Sequence, residues 1–533
     1  MTAPSPTLRP YQREAIDALL AARRSGVRRM VVCLPTGAGK TVIFSHLAQL
    51  AQRQVLVLAH REELLAQARE KLQHALQSTA VVALERGAER GARDAKVLVC
   101  SIRSLHEQRL AEVIRGRNVG LVIYDECHHA AAEDNLRVLR QLGVFDPAWQ
   151  GTLLGFTATT ARGDGKGLDA VFERIVYSRT LPDLIDQGYL SKLRGYRIST
   201  AADLTRLTPS AGGDFREEEL ACAVDIEERN ALVARSIQEL ARDRRTIAFC
   251  VTVNHATNLC RSLNAVGVPA GIVHGAMPSD RRAQALADFR VGRTQVLCNV
   301  AVLTEGFDDP GVSCVAMARP TRSEGLYAQC VGRGTRLHPG KKDCLILDFV
   351  DLSELSLCSL PSLFGLPREL DLQGQEVSDA RRIWTQIEFD RPGFELEAGA
   401  VTLPEIQERA ASFDPLTLEA NDEVRAISAN AWFSLGRHGL GLHFERRPGT
   451  VSEVVILQRA ARGKRWEVVL DGKPKERFSN IETAVEAVDY EISRMGARAA
   501  ASARAEASWR RTAGAAPSAD DLRLSVFQRV FGK

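Results

Sequence analysis

The stretch Leu34-Pro35-Thr36-Gly37-Ala38-Gly39-Lys40-Thr41 lies between an apolar run at residues 30–34 and a segment with helical spacing of apolar side chains at residues 42–52. A strand, a glycine turn and a helix that begins with Gly-Lys-Thr together form a phosphate-binding loop. Position 34 holds Leu where the standard pattern has its first glycine, but the spacing from Gly39 onward is retained. The alternative is a glycine-rich turn without a ligand, and the motifs farther along the chain bear on that choice.

Each residue type in this loop suits the binding of a nucleotide triphosphate. Gly37 and Gly39 allow successive backbone N–H groups to point inward at phosphate, and the helix N-terminus adds partial positive charge. Lys40 supplies a full positive charge to the β and γ phosphates, and the Thr41 hydroxyl is a ligand for Mg²⁺. The sequence therefore predicts a site for a nucleotide and magnesium at this turn.

Length and composition set the frame for the rest of the chain. Its 533 residues are enough for two to four domains, and 45 % hydrophobic with 26 % charged residues is typical of globular domains with full cores. The net charge of +4 identifies no class of partner. The 11 cysteines include no Cys-x-x-Cys pair, so we expect neither a disulfide framework nor a zinc module, and a cytoplasmic location. We also expect no secretory signal at the start and no membrane-spanning segment, since no apolar stretch approaches the roughly 18 residues required.

Strands and helices alternate around the loop in the first part of the chain. We predict helices at 7–24, 61–77 and 102–114, and strands at 54–59, 80–84, 96–100, 119–124 and 152–156. Near-continuous apolar strands separated by helices indicate a parallel sheet that is covered on both faces. Ligands of such sheets bind at the carboxyl ends of the strands, where the phosphate loop also lies.

Gln12, in the first helix, precedes the phosphate loop by about two dozen residues. A glutamine side chain offers one hydrogen-bond donor group and one acceptor, which matches the edge of adenine. The alternative is a surface glutamine without a ligand.

Two adjacent acids, Asp125 and Glu126, follow the apolar strand at 119–124. A hydrolase that acts on a γ-phosphate needs a carboxylate for the magnesium shell and a base that orients water. We assign Asp125 to magnesium and Glu126 to water. Adjacent acids alone are common in solvated turns, but here they share one α/β unit with the phosphate loop.

A cluster of hydroxyl side chains, Thr157, Thr159 and Thr160, follows the strand at 152–156. These side chains can link the nucleotide site to a neighbouring domain, and a threonine-rich helix cap is an equally good local interpretation. Residues 161–226 lack periodicity, so we predict an irregular segment with a domain boundary within about 180–228.

A second alternating run begins after this segment. We predict helices at 226–242, 253–265, 278–290 and 323–332, and strands at 245–251, 270–273, 294–300, 312–317 and 343–349. This half has no phosphate loop of its own. It carries Arg333 and Arg336, which face one way if they share a helical turn. An arginine pair aimed across a cleft can supply transition-state charge, whereas two solvated arginines are the alternative.

The ordered motifs resemble those of superfamily 2 helicases over residues 8–350. The segments that carry the resemblance are the start with Gln12, the phosphate loop, 59–64, 101–105, 125–128, 157–159, 306–308 and 329–336. In that family two RecA-like α/β domains close on ATP, and nucleic acid lies across both. The resemblance therefore implies two tandem parallel-sheet domains that use ATP and Mg²⁺.

The resemblance also implies roles for individual residues. For ATP it implies contacts from Arg9, Gln12, Pro35, Thr36, Gly37, Ala38, Gly39, Lys40, Thr41, Gly306 and Asp308, with magnesium at Thr41 and Asp125. For catalysis it implies Lys40, Asp125, Glu126, His128, Gln329, Arg333 and Arg336, the two arginines as fingers. For nucleic acid it implies His60, Arg61, Ser101, Thr157, Thr159 and Thr304.

Two differences from the motifs of RNA-remodelling helicases indicate which members of the family this chain resembles. The acidic motif is Asp-Glu-Cys-His rather than Asp-Glu-Ala-Asp, and residues 60–64 differ from the usual RNA-remodelling pattern. Both favour DNA translocases similar to the xeroderma group B, UvsW and RadD types and to the mitochondrial branched-DNA helicases. Cys127 is an uncommon choice, and the sequence suggests no role for it.

The last third of the chain has a different pattern. Short predicted strands at 431–435, 441–444, 454–458 and 465–470, an Asp471-Gly472 hairpin turn and a helix at 480–495 predict a small sheet with one helix and a basic helical tail. Residues 437–477 carry ten Lys/Arg and five Asp/Glu, hence a net +5, with aromatic residues among them. This mixture suits single-stranded or forked DNA, or equally a small aromatic core with solvated charges.

We expect RecA-like domains at 1–185 and 228–365, a connecting segment at 186–227, a linker region at 366–430 and a β-rich accessory domain at 431–533. The expected function is an ATP-dependent helicase or translocase on single-stranded, forked or branched DNA, at the nucleoid. An RNA-remodelling ATPase and a non-catalytic nucleic-acid scaffold are the alternatives. Decayed motifs would favour the scaffold, but Lys40, Glu126 and Arg336 are all present. The sequence identifies no protein partner.

Overall fold

The computed structural model describes residues 8–60, 62–76, 81–158, 167–210, 213–304, 307–353, 356–390, 394, 396, 401–412, 424, 427–428, 430, 432–434, 439–447, 450–459, 465–471, 473–494 and 498–499. The chain forms two compact units. The first comprises residues 1–368 and 372–378, and the second comprises residues 369–371 and 379–533.

The first unit begins with a lobe built on a seven-stranded parallel sheet, ordered β3-β4-β2-β5-β6-β1-β7. Its strands are β1 Arg29–Cys33, β2 Gln54–Ala59, β3 Val82–Glu85, β4 Val97–Ser101, β5 Val119–Asp125, β6 Thr152–Thr157 and β7 Arg174–Ser178. Its helices are α1 Pro10–Arg24, α2 Lys40–Leu50, α3 Glu62–Ala75, α4 Glu107–Ile114 and α5 Glu133–Gln141. The apolar strands lie buried between the helices, as their near-continuous hydrophobic runs predict.

The predicted strands of this lobe are confirmed to within two residues at each end, but two expectations were wrong. The helix predicted at 102–114 is a short 3₁₀ turn, Ile102–Ser104, followed by α4. The break comes at His106, whose side chain accepts a hydrogen bond from the N–H of Arg109 at 3.4 Å and so caps a new helix. Strand β7 falls within the segment that we expected to be irregular.

The second lobe of the same unit is a six-stranded parallel sheet, ordered β10-β11-β9-β12-β13-β8. Its strands are β8 Lys192–Asp203, β9 Thr246–Phe249, β10 Ala270–His274, β11 Val296–Val300, β12 Cys314–Met317 and β13 Asp343–Leu352. The accompanying helices are α6 Leu181–Asp186, α7 Glu217–Val224, α8 Glu227–Leu240, α9 Val253–Ala265, α10 Ser279–Arg290, α11 Glu324–Val331 and α12 Leu360–Leu363.

Strand β8 corrects the expectation of an irregular segment at 161–226. It pairs in parallel with β13 along almost its whole length and forms an edge of the second sheet. The segment predicted as a connection at 186–227 therefore contributes a strand to the second lobe. The sequence concealed it because an edge strand is half exposed, and β8 carries Lys192, Arg194 and Arg197 among its apolar residues.

The second unit contains a mixed part and an antiparallel sheet. Its elements are β14 Leu370–Asp371, α13 Val377–Asp390, β15 Val401–Thr402, α14 Leu403–Ser412, β16 Phe433–Ser434, β17 Gly439–Arg447, β18 Thr450–Arg459, β19 Arg465–Leu470, β20 Lys473–Phe478, α15 Ile481–Arg494 and β21 Arg498–Ala499. The sheet with one helix confirms the predicted pattern, and Asp471, at φ +47°, turns β19 into β20. The predicted basic tail lies outside the described residues.

The aromatic residues of this sheet contribute to its core. Trp432 and Phe444 are buried among the apolar side chains of the sheet and α15, and Trp466 and Phe478 pack against the same cluster. The basic residues of β20, in contrast, are exposed. Of the two interpretations of this region, the aromatic core therefore holds for these four rings, while the exposed charge remains available to a ligand. Among the described residues, no helix has the length and apolarity that crossing a membrane requires.

Candidate active site

The phosphate loop joins β1 to α2 in the first lobe. Gly37 and Gly39 have φ of +86° and +77°, a left-handed backbone that favours glycine, and α2 begins at Lys40. Leu34, at the position of the missing glycine, is fully buried, and its N–H donates to the carbonyl of Thr157 at 2.9 Å. The leucine thus belongs to the sheet rather than to the turn, so its side chain does not obstruct the loop.

Tyr11 and Gln12 of α1 hold this loop through side-chain hydrogen bonds. The Tyr11 hydroxyl and the Gln12 side-chain NH₂ donate to the carbonyl of Ala38, at 2.6 and 3.2 Å. The Gln12 carbonyl oxygen accepts from the N–H of Arg9 at 3.0 Å. A Cβ at Gly39 would lie 2.7 Å from the Gln12 nitrogen, so a larger residue would displace the Gln12 amide, and the φ of +77° disfavours such a residue in any case. Gln12 therefore supports the loop, and its predicted contact with adenine stays a prediction.

The acidic pair lies at the carboxyl end of β5, beside the loop. Glu126 has φ +52°, and this left-handed turn directs its carboxylate toward Lys40, with 3.4 Å between Oε1 and Nζ. Its N–H donates to Asp125 Oδ1 at 3.1 Å. The other oxygen of Glu126 lies 3.4 Å from Nδ1 of His128. Cys127 between them is buried, and its sulfur lies 2.7 Å from the position of a Cβ at Gly155, so it packs against β6.

A short polar chain leads from the acidic pair to the ends of the neighbouring strands. His128 Nδ1 and Thr157 Oγ1 are 3.1 Å apart, so the acidic motif contacts the threonine motif directly. His60 lies at the end of β2, with Nε2 2.7 Å from the Tyr124 hydroxyl, and Ser101 ends β4. The structure thus places these predicted nucleic-acid residues at one edge of the sheet. Arg61, Thr159 and Gly306 lie outside the described residues.

Arg333 and Arg336 of the second lobe have different environments. Arg333 is buried, and its Nη atoms donate to the carbonyls of Thr304 and Phe307 at 2.9 and 2.8 Å. Arg336 pairs through Nε with Asp308 Oδ1 at 3.0 Å. Gln329 lies buried on α11. The short helix that carries Arg333 ends at Gly334, so the two arginines do not share a helical turn, which was the condition for the predicted common face.

Both lobes contribute to one cavity of about 250 Å³. The residues predicted from the sequence that line this cavity are Arg9, Thr36, Gly37, Gly39, Lys40, Thr41, Asp125, Glu126, Asp308, Arg333 and Arg336. The lobes touch at its edge, where the Thr335 hydroxyl donates to the carbonyl of Thr36 at 3.3 Å. Residues some three hundred positions apart in sequence therefore line one space.

Sequence reasoning missed several residues of this cavity. Tyr189 lines it, and the guanidinium of Arg9 donates to the Tyr189 carbonyl at 3.0 Å and lies over its ring. Lys71 of α3 also lines it and pairs with Asp308 at 2.6 Å. A second cavity of about 600 Å³ adjoins the first and shares Thr41, Lys71 and Asp308 with it. The sequence offered no signal for Lys71, which looks like any basic residue of an amphipathic helix.

Two pKa shifts describe the electrostatics at the second-lobe side of the cavity. Burial by itself would raise the pKa of Asp308. The positive charges of Arg336 and Lys71 outweigh this effect, so the pKa of Asp308 lies below its ordinary value. Burial lowers the pKa of Arg336, and Asp308 partly offsets this. Asp308 is therefore a carboxylate held between two cations.

The residues present fit Mg-ATP. The Thr36 hydroxyl is buried without a hydrogen-bond partner among the described residues, and Gly37 and Gly39 leave the turn open to phosphate. Thr41 and Asp125 line the same cavity and supply the oxygen ligands that magnesium prefers.

Two family models match the chain. The model described as "Type III restriction enzyme, res subunit" matches residues 5–162, and the model described as "Helicase conserved C-terminal domain" matches residues 228–338. Each match falls within one lobe, and together they include the phosphate loop, the acidic pair and both arginines. The chain belongs to the superfamily 2 helicases.

Individual proteins resemble this chain to different extents. It is 36 % identical to a candidate mitochondrial ATP-dependent helicase, irc3, from Schizosaccharomyces pombe, over 68 % of this chain and 61 % of that protein. It is 25 % identical to the DNA 3'-5' translocase XPB2 of Sulfurisphaera tokodaii, over 64 % of this chain and 81 % of the other. This chain thus spans about three fifths of the length of the first of these relatives.

A solved structure supports the fold. The fragment structure of a candidate HsdR subunit of a type I restriction enzyme from Vibrio vulnificus is similar, with a TM-score of 0.50 and 23 % identity over 65 % of each chain. At this identity the likeness concerns the fold alone, and it agrees with two consecutive parallel-sheet lobes.

Proposed function

We propose that this protein is an ATP-dependent DNA helicase or translocase that couples hydrolysis of Mg-ATP to movement on, or unwinding of, forked or branched DNA. The observation that supports the proposal most is the shared cavity. Lys40, Asp125 and Glu126 come from the first lobe, and Arg336 comes from the second. An ATPase site that needs both lobes makes turnover depend on their closure, which is how hydrolysis can drive movement along a strand.

The side chains divide the work of hydrolysis by position. The loop N–H groups and Lys40 hold the phosphates, and Arg336 faces them from the opposite lobe, where it stabilises charge that develops as the γ-phosphate leaves. Glu126 lies between Lys40 and His128, within 3.4 Å of each, so its carboxylate is held where it can orient water. Magnesium, when bound at Thr41 and Asp125, neutralises charge on the phosphate oxygens.

His128 provides the link from chemistry to nucleic acid. Its Nδ1 lies 3.4 Å from Glu126 Oε2 and 3.1 Å from the Thr157 hydroxyl, so one ring atom contacts both groups. A displacement of Glu126 on hydrolysis is therefore transmitted to the strand end that carries Thr157. We propose that Thr157, His60, Ser101 and Thr304 contact or adjoin the nucleic-acid backbone.

DNA is the proposed substrate, with RNA as the alternative. The Asp-Glu-Cys-His motif and the name of the archaeal relative, a DNA translocase, favour DNA. A location in the cytoplasm at the nucleoid is part of this proposal and follows from the substrate.

ATPase stimulation across a substrate panel tests the proposal. The panel contains a fork, a four-way junction, single-stranded DNA, blunt duplex and single-stranded RNA at one salt concentration. We expect stimulation by DNA, strongest with forks or junctions, and none above background for the Lys40→Ala variant as control. Stimulation by RNA alone would overturn the DNA assignment, and equal turnover by the wild type and Lys40→Ala would overturn the ATPase assignment.

A further inference from the structure

One carboxylate, that of Asp308, connects the two lobes. Its Oδ2 accepts from Nζ of Lys71 at 2.6 Å, and its Oδ1 lies 3.0 Å from Nε of Arg336. Lys71 belongs to α3 of the first lobe, whereas Asp308 and Arg336 belong to the second. Of the ion pairs between described residues, Lys71–Asp308 is the one that joins the lobes.

The pairing geometry determines what Arg336 can offer to phosphate. A guanidinium and a carboxylate prefer a bidentate arrangement, in which two N–H groups contact both oxygens. Here Lys71 binds one of the two oxygens of Asp308, and Arg336 contacts the other through Nε. Nη1 of Arg336 is buried and has no hydrogen-bond partner in the described part of the chain. Arg336 lines the shared cavity, so this nitrogen has no competing acceptor among the described residues when an anionic ligand binds there.

The net charge of Arg336, Asp308 and Lys71 also favours an anionic ligand at Arg336. Arg336 and Asp308 alone form a neutral pair, and a neutralised arginine is a poor ligand for a phosphate that gains negative charge. With Lys71 the three groups carry a net positive charge. Since Lys71 reaches Asp308 only when the lobes are together, the charge at the finger depends on closure.

We propose that Lys71 is a positioning residue for the arginine finger: it holds Asp308 from the first lobe, so that Arg336 presents an unpaired Nη1 to the γ-phosphate only in the closed state. The inference rests on the proposed ATPase function but adds a residue that neither the motifs nor the family matches assign. Closure of the lobes then has two effects: it brings Arg336 near the γ-phosphate, and it adds the positive charge of Lys71 to the Arg336–Asp308 pair.

Arg69 provides a matched control. It lies on the same helix α3, two residues before Lys71, with a side chain of similar exposure, 38 % against 44 %. Its ion partner is Glu89 at 3.5 Å, which belongs to the first lobe. The loss of Arg69 therefore removes a comparable ion pair from the same helix without affecting the second lobe.

The kinetic test uses the full chain as wild type, Lys71→Met, Lys71→Arg and Arg69→Met. ATPase rates are measured against ATP concentration with saturating forked DNA at low and high salt. We expect Lys71→Met to lower kcat about fivefold, the size of a single ion pair, with KM for ATP within about twofold. Lys71→Arg should restore most of kcat, Arg69→Met should match the wild type, and the Lys71→Met deficit should shrink as salt screens the pair.

A second measurement does not depend on turnover. Acetylation of lysines by a water-soluble ester, followed by mass spectrometry, reports how far each ammonium is engaged. We expect Lys71 to react several times faster in Asp308→Asn than in the wild type, while exposed Lys475 of β20 reacts equally in both.

The outcomes separate the two proposals. If wild-type protein hydrolyses no ATP, the proposed function fails, and the acetylation experiment alone decides the Lys71–Asp308 contact. If the wild type is active but Lys71→Met equals Arg69→Met, or Lys71→Arg gives no recovery in a protein of unchanged melting temperature, the positioning role is overturned. Equal acetylation of Lys71 in the wild type and in Asp308→Asn also overturns it.

Discussion

The two lobes of the first unit are parallel sheets of the same kind, but they build their halves of the site differently. In the first lobe, the loop at 34–41 and the acidic pair directly continue β1 and β5. In the second, Asp308 and Arg336 lie outside the strands and helices, pair with one another, and Asp308 also pairs with Lys71. The phosphate contacts that we propose for the first lobe are therefore largely backbone groups, whereas those proposed for the second lobe are side chains whose positions depend on distant contacts.

The two arginines of the second lobe show the same contrast at a smaller scale. Arg333 lines the cavity but has its guanidinium bound to backbone carbonyls at Thr304 and Phe307, so it organises the loop that carries Asp308. Nη1 of Arg336 has no hydrogen-bond partner among the residues that the structure describes. The sequence does not distinguish these two arginines, which are three residues apart, but the structure gives their guanidinium groups different partners.

The largest expected effect separates these arginines. Arg336→Ala should lower kcat by about 10³-fold or more, with ATP binding largely retained, because it removes transition-state charge. Arg333→Ala should in addition lower the melting temperature, because two buried carbonyls lose their donor. Turnover assays with a fluorescent ATP analogue and thermal unfolding check both. Equal melting temperatures for the two variants would remove the distinction.

Glu126→Gln tests the first lobe. The amide keeps the shape of Glu126 but cannot accept a proton, so turnover should fall by about 10²–10⁴-fold while ATP still binds. Lys40→Ala should instead weaken ATP binding itself, since Lys40 holds the phosphates. Binding titrations and single-turnover hydrolysis distinguish these results. Near wild-type turnover in Glu126→Gln would show that another group orients the water.

The difference between the lobes also explains what the sequence could predict. The phosphate loop and Asp125-Glu126 were predictable because each is a local pattern beside a buried strand. The contact between Thr335 and Thr36 and the pairing of Lys71 with Asp308 were not, since they depend on how two separately folded sheets meet. Strand β8 was missed for another reason: charged residues on this edge strand interrupt the alternation of apolar and polar residues that would have indicated a strand.

Some residues acquired a structural explanation that no pattern suggested. Cys127 packs against Gly155, where a Cβ would collide with its sulfur and with the ring of Phe172 at 2.6 Å. Gln12 has both ends of its amide engaged by backbone. For both residues, the motif identified the position in the sequence, but the contacts of the side chain could be seen only in the folded structure.

A moderate effect is expected in the second unit, at the exposed strand β20. Lys473→Ala with Lys475→Ala should weaken binding of single-stranded DNA about tenfold and reduce the salt slope of log Kd by about 1.4, while DNA-free ATPase is unchanged. The Arg double variant at the same positions keeps the charge and serves as control. Fluorescence anisotropy at several salt concentrations measures the slope, and an unchanged slope would exclude these lysines from the DNA interface.

The smallest effect concerns acid stability of the second lobe, where two buried groups act in opposite directions. Burial lowers the pKa of His255 to about 4, with Arg229 adding to the shift, so His255 destabilises the fold as pH falls below 6.5. Burial raises the pKa of Asp348 to about 6, although hydrogen bonds from Leu360 and Tyr327 favour its ionised form. Its protonation therefore stabilises the fold as pH falls from about 6 to 3.8.

Because these terms oppose each other, wild-type stability should change little through His255 and Asp348 between pH 6.5 and 4.5. Asp348→Asn, which is neutral at every pH, removes the compensating term and leaves that of His255. Its stability relative to the wild type should fall by about 2 kcal/mol over this range, in the direction of acid. Urea unfolding at several pH values measures it. A parallel pH dependence of the two proteins would show that Asp348 is ionised throughout, and that the hydrogen bonds from Tyr327 outweigh its burial.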